Sequence, residues 1–290
     1  MTATPTPTST PVPTRAAALE DIVQLSRTIG RPEADLVILA EGNTSIRTPG
    51  DRMLVKATGA ALRTADEDDF VEVDLNAYTA LLAGGDVSDA QVAERLQAAV
   101  VVGTKRPSVE SLLHAVCLAL PGVQVAAHTH PTAVNAVLCS AHPELLVGSL
   151  FPDQIVVLGR RPLLIPYLDP GLTLARFVAA RLPEHVERFG QPKVVYLANH
   201  GMFALGATAD EVLRITQMAV KAAWVVAGAV ALGGPSYLSA EHEERIDTRP
   251  DEEHRRRLLA AELVRPTEHD RYERDQQGLD QYEHDQQATP

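Results

Sequence analysis

Between residues 16 and 232, segments with apolar side chains at helical spacing alternate with short apolar runs, and Gly, Pro and Asn punctuate the joins. A chain written this way folds as an α/β domain, because the strand-like runs have helical segments beside them to cover their apolar faces. Residues 16–29 carry Ala18, Ile22, Leu25 and Ile29 on one helical stripe, and residues 35–40 form a strand-like apolar run leading into a Gly-Asn turn. Residues 53–57 and 70–73 read as strands. Helical spacing returns over 108–120 through Leu112, Leu113, Val116 and Leu120, and Pro121-Gly122 ends it. A strand is expected over 124–130, then a helix over 131–138 that starts at a proline suited to a first turn. Residues 155–158 and 163–166 read as a strand pair around Gly159-Arg160-Arg161. A helix over 172–182, a strand over 194–198, a turn at Asn199-His200-Gly201 and a long helix from Asp210 to about Leu232 complete the domain, taken as residues 16–235.

The 290 residues are 45% hydrophobic, enough to bury an ordinary core. Against 26 Lys and Arg stand 38 Asp and Glu, a formal net charge of −12 that argues against nucleic acid and anionic membrane surfaces as partners. With only 2 Cys no disulfide framework is available, so a reducing compartment is expected. Residues 1–15 are rich in Thr, Pro and Ser, with neither a basic start nor an apolar run, and read as a disordered leader. The apolar stretch from Ala222 to Gly233 falls short of the ~20 residues of a spanning helix and is expected to be buried, so the protein is placed in the cytoplasm. Beyond Pro235 apolar residues thin out. Residues 236–265 are expected to form a helical extension, and residues 266–290, a charged near-repeat that includes His269 and His284, a disordered tail.

His128-Thr129-His130 ends an apolar strand-like run, and in a strand residues i and i+2 point to one face, so the two imidazoles can chelate one ion. The alternative is a pair of packed or surface histidines beside a turn. His200 lies at another strand end, and three protein ligands leave a coordination position open for water or substrate. Glu110, at the start of a helix, is either an acid/base group near such an ion or a first-turn carboxylate favoured by the helix dipole. His114, one turn on, reads as a packed histidine. The turns Glu41-Gly42-Asn43-Thr44-Ser45 and Lys56-Ala57-Thr58-Gly59 offer backbone N–H groups and short polar side chains to an anion, or serve only as punctuation.

In this order, Gly-Asn-x-Ser, Lys-x-Thr-Gly, Pro-Ser-x-Glu, His-x-His and Asn-His-Gly make residues 16–235 resemble the class II aldolase/adducin family. Gly42-Asn43-Thr44-Ser45, Phe151-Pro152-Asp153 and residues 166–171 look most similar to the aldolase half of bifunctional rhamnulose-phosphate aldolase/dehydrogenase proteins. The chain has no Gly-x-Gly-x-x-Gly loop, so an aldolase activity is expected to stand alone. The resemblance implies a single α/β domain with a central, mainly antiparallel sheet flanked by helices. It makes His128, His130 and His200 the ligands of a divalent metal, zinc with manganese, cobalt or iron as alternatives, and Glu110 the proton shuttle, expected to have a raised pKa. Asn43, Thr58, Gly59 and Ser108 would face a substrate phosphate. Val109 and Ala40 stand where some sugar-phosphate aldolases of the family have Ser and Thr, so two phosphate donors are missing. Tyr167 is expected to pack at a strand end.

The implied activity is that of a lyase of carbohydrate metabolism, splitting a ketose 1-phosphate or a related hydroxy-ketone into a dihydroxyacetone phosphate-type enediolate and an aldehyde. The implied partners are a small-molecule sugar phosphate and further copies of the chain, as a homotetramer with sites between subunits. Open alternatives are an epimerase, dehydratase or decarboxylase on the same scaffold, an Fe(II) oxygenase that holds its iron by three histidines and acts on a non-phosphorylated acid, and a non-catalytic adducin-like interaction module.

Overall fold

The computed structural model describes residues 12–252 together with residues 254, 255 and 258. Most of the expected leader and the whole of the expected tail, with His269 and His284, lie outside the described residues. The chain divides into two compact units, Met1–Asp247 and Thr248–Pro290. Within the second, residues 250–252 are helical and Arg249 pairs with Asp251. The first unit carries the site.

In that unit α1 (Arg15–Ile29) starts under the side chain of Thr14, which accepts a hydrogen bond from the Ala17 N–H, and buries Ala18, Leu19, Ile22, Leu25 and Ile29. Strands β1 (Asn43–Thr48), β2 (Arg52–Lys56) and β3 (Phe70–Asp74) follow. Next come α2 (Leu75–Ala83), α3 (Asp89–Ala98), β4 (Val100–Val102) and α4 (Ser111–Leu118). Then β5 (Val125–Thr129), α5 (Thr132–Leu138), α6 (Pro152–Leu158), β6 (Leu163–Ile165) and α7 (Leu172–Phe189) lead to the last strands. These are β7 (Val194–Leu197) and β8 (Gly201–Gly206), followed by α8 (Ala209–Ala231) and α9 (Ala240–Asp247).

The strands form one eight-stranded sheet in the order β4-β3-β2-β1-β5-β8-β7-β6. Every pairing is antiparallel except β6 with β7. Alternate residues of each strand feed two cores. Leu54, Val125, Ala127, Tyr196 and Ala204 join the side chains of α1, α5 and α8 on one face. Val55, Ala126, Val195, Phe203 and Leu205 meet α2, α3, α4 and α7 on the other.

Several sequence expectations are corrected. Residues 155–158 are not a strand: Phe151-Pro152-Asp153 puts a proline and an acidic residue in the first turn of α6, and a four-residue apolar run has no periodicity to oppose that start. Consequently β6 has no hairpin partner and pairs in parallel with β7, across α7. Residues 43–45 lie inside β1 rather than in a turn, and residues 35–40 form no strand. Residues 201–206, outside any expected strand, form β8. The helix from Leu172 runs on through Pro183 to Phe189. Neither α2 nor α3 is among the expected elements, although the Ser88 and Gln91 capping box that starts α3 is legible in the sequence.

Helix α8 has 23 residues, so it is longer than the apolar stretch of residues 222–233. It is not buried throughout. Val212, Ile215, Ala219, Ala223 and Val226 face the core, whereas Trp224, Val225 and Val230 are exposed.

Candidate functional site

Three imidazoles meet where the central strands end. His128 is the fourth residue of β5, fully buried, stacked on Phe203 with ring centroids 4.4 Å apart, and its Nδ1 lies 3.0 Å from the Met202 carbonyl oxygen. His130 stands just beyond the strand, its Nδ1 3.0 Å from Glu41 Oε2. His200 occupies the turn between β7 and β8. There Asn199 takes a left-handed φ of 55°, and the His200 carbonyl oxygen accepts from Asn135 Nδ2 at 3.0 Å. Gly201 allows this turn to close, because a Cβ there would stand 2.4 Å from His130 Cδ2 and 2.6 Å from the Thr129 carbonyl oxygen.

The Nε2 atom of His128 lies 2.9 Å from that of His130 and 3.3 Å from that of His200. A carbonyl oxygen only accepts, so His128 must carry its proton on Nδ1, and the Glu41 carboxylate asks the same of His130. Neutral rings therefore aim two Nε2 lone pairs at one another, an arrangement that needs a shared cation or an added proton. Ligand bonds of ~2.0–2.1 Å in a tetrahedral site place ligand atoms roughly 3.4 Å apart, close to the separations here, so the residues fit a divalent metal. They are the three grouped as candidate metal ligands among the described residues.

Glu110 lies at the N-cap position of α4, held by Asn43, whose Nδ2 donates to Glu110 Oε2 at 2.6 Å. Its Oε1 stands 3.1 Å from His200 Nε2 and 3.4 Å from His128 Nε2. Burial pushes the carboxyl pKa up, but where the rings of His128 and His200 carry the added proton, their attraction and hydrogen bonds outweigh it and hold the group well below the usual carboxylate range. The raised pKa expected of a proton shuttle is thus not found with these rings as neighbours.

The other expected residues are gathered nearby. Ala57 forms a β-bridge with Pro107, and Thr58 N–H donates to the Arg106 carbonyl at 2.8 Å, so the Thr58-Gly59 turn lies against the segment carrying Ser108. Gly59 has a φ of +83° and faces open space, while Thr58 is exposed. Ser108 Oγ accepts from the Glu110 N–H at 3.3 Å, and Asn43 is buried against Glu110 rather than free.

His114 is a packed histidine, its Nδ1 2.7 Å from Ser45 Oγ, and burial pushes its pKa down to about 3. Tyr167 does not pack as expected: it is 55% exposed, with its hydroxyl donating to Asp169. It stands two residues beyond the end of β6.

Two residues of this neighbourhood belong to the motifs but not to the expected site. Lys56 is buried, and its Nζ donates to the carbonyls of Ala40 at 3.1 Å and Ala60 at 2.5 Å. Desolvation lowers its pKa to about 8, against the opposing pull of Glu110 and Asp69. A lysine inside the apolar run 53–57 is the available signal. The second is Glu41, which lines a cleft of about 550 Å³ together with His130, Asn135 and His200. For Glu41 the sequence carries no signal, because its partner is 89 residues away.

Fold and site together define a mainly antiparallel α/β domain with a three-histidine, one-carboxylate cluster at its strand ends. The chain belongs to the class II aldolase and adducin family: the model of the Class II Aldolase and Adducin N-terminal domain matches residues 20–226. A relative from Bacillus subtilis (strain 168), named uncharacterized oxidoreductase YuxG, is 28% identical over 209 residues, or 68% of this chain. The chain spans only 28% of that relative's length. Among solved structures, the N-terminal class II aldolase domain of a conserved protein from Thermoplasma acidophilum aligns with a TM-score of 0.58 at 25% identity, over 71% of this chain and 92% of that one. An L-fuculose 1-phosphate aldolase aligns with a TM-score of 0.62 at 20% identity, over 80% of this chain and 95% of that one, a likeness of fold.

Proposed function

We propose that this protein is a metal-dependent class II aldolase, a lyase that cleaves a ketose 1-phosphate or a related hydroxy-ketone into an enediolate of the dihydroxyacetone phosphate type and an aldehyde. The observation that carries this reading is the convergence of three Nε2 atoms with Glu110 Oε1 beside them. His128, His130 and His200 would hold the ion, zinc in the first instance, with manganese, cobalt or iron as alternatives. When bound, a divalent ion with three neutral ligands keeps its full charge and supplies Lewis-acid stabilisation of the negative charge that carbon–carbon cleavage beside a carbonyl builds.

The chain's own residues do the rest. Glu110 moves the proton at carbon, and Asn43 fixes the direction its carboxylate faces. The exposed Thr58-Gly59 turn and Ser108 receive the phosphate or an equivalent anionic end, with Asn43 at the inner edge. A tetrameric assembly in the cytoplasm belongs to the same reading and is supported by the family resemblance alone.

The test is elemental analysis of untagged protein and of His200→Ala, followed by an assay for dihydroxyacetone phosphate released from ketose 1-phosphates. Near-stoichiometric zinc, manganese or cobalt, lost in the variant, with release of that product, is the expected result. Iron lost in the variant, without cleavage, moves the function to an oxygenase. No metal after reconstitution removes the catalytic reading.

A further inference from the structure

We infer that Glu41 is the positioning carboxylate of the metal centre, fixing the tautomer and direction of His130, and that the loop between Leu36 and Gly42 takes its strained shape to hold it there. The inference rests on the metal-centre reading above and adds a residue to it.

His128 stands within a strand and can give its Nδ1 proton to a neighbouring strand's carbonyl, that of Met202. His130 stands past the end of β5, and among the described residues its Nδ1 meets a side chain rather than a strand carbonyl. The loop supplies the partners: the His130 backbone N–H donates to the Leu36 carbonyl at 2.9 Å, and its Nδ1 meets Glu41 Oε2 at 3.0 Å. The other carboxylate oxygen, Oε1, accepts from the Ile38 N–H at 2.7 Å, so both oxygens of Glu41 are engaged and its plane is set. Because Glu41 meets the ring at Nδ1, the imidazole stands between this carboxylate and the Nε2 cluster, and Glu41 is not itself a ligand.

The backbone is shaped to this end. Leu39 has a φ of +51° although its side chain is 87% exposed, so no packing explains a conformation that costs a non-glycine residue about 1–2 kcal/mol. Gly42 has a φ of +73°, and a Cβ there would stand 2.9 Å from the His128 carbonyl oxygen. The turn between them is closed by the Glu41 N–H on the Ile38 carbonyl at 3.2 Å and tied down by Lys56 Nζ on the Ala40 carbonyl. A carboxylate on the far nitrogen of a ligand imidazole fixes the tautomer and makes Nε2 more basic, and loss of such a partner typically weakens metal binding about 10–100-fold.

The experiment measures zinc affinity by competition with a chromophoric chelator for the full chain, Glu41→Gln and Glu41→Ala, together with the thermal midpoints of the metal-free proteins and the visible spectra of the cobalt-substituted ones. Glu41→Ala is expected to bind zinc about 10–100-fold more weakly and to shift the cobalt bands. The nearly isosteric Glu41→Gln, which keeps one acceptor oxygen, should recover part of that affinity. Lowered metal-free midpoints with zinc affinity within about two-fold of the parent in both variants would make Glu41 a loop-holding residue and overturn the inference alone. A parent protein that binds no zinc overturns the metal-centre reading and this inference with it.

Discussion

Glu110 and His200 are 90 residues apart in sequence, and Glu110 Oε1 lies 3.1 Å from His200 Nε2. One comes from the start of α4 and the other from the turn between β7 and β8, so the contact exists only once the sheet has brought β5 and β8 together. The carboxylate is therefore placed beside the imidazole cluster by the whole fold rather than by a local motif.

Exchange of that carboxylate for its amide should separate proton transfer from metal binding. Glu110→Gln retains an oxygen to accept from Asn43 and leaves the three imidazoles in place. Metal content should stay at the parent level while kcat for cleavage falls about 10²–10⁴-fold. Full activity in this variant would remove Glu110 from the proposed proton transfer.

Gly201→Ala should damage the centre without replacing a ligand. The added methyl would meet the ring of His130 and the backbone of Thr129, so either the turn or β5 must move. A loss of about 1–3 kcal/mol in urea unfolding, accompanied by weaker zinc binding, is expected. Unchanged values for both would contradict the close approach described here.

His114 should contribute to acid sensitivity. Burial lowers its folded pKa from 6.5 to about 3, so the folded state keeps it neutral. Its stabilising contribution is complete above the unfolded pKa and is lost as pH falls from 6.5 towards 3, by about 2 kcal/mol between pH 7 and pH 4.5. Urea midpoints at those two pH values should converge in His114→Gln relative to the parent protein. An equally steep pH dependence in the variant would assign the sensitivity to other groups.

Lys56→Met should loosen both loops that its amine ties together. Two carbonyls, of Ala40 and Ala60, lose a charged donor, at a cost of about 1–3 kcal/mol offset in part by relief of lysine burial. Because Ala40 precedes Glu41, zinc affinity should fall together with stability. Chelator competition on the same samples checks this, and parent-level affinity would show that the Ala40 tie does not reach the centre.

The sequence by itself determined the elements whose signals are local. Periodic apolar stripes gave α1, α4 and α8, short apolar runs gave β2, β3 and β5, and the i, i+2 spacing put His128 and His130 on one face. It also carried the ordered set of motifs by which the family is recognised. Where two local signals competed, a short apolar run read as a strand gave way to the proline start of α6. Tertiary structure alone decided what depends on distant chain segments. It placed His200 and Glu110 beside His128, turned the Asn43 amide onto Glu110 and set Glu41 behind His130. The physical reason is reach: side-chain spacing along a helix or strand is written in the sequence, whereas contacts across 65 to 90 residues exist only after strand order and register have been chosen.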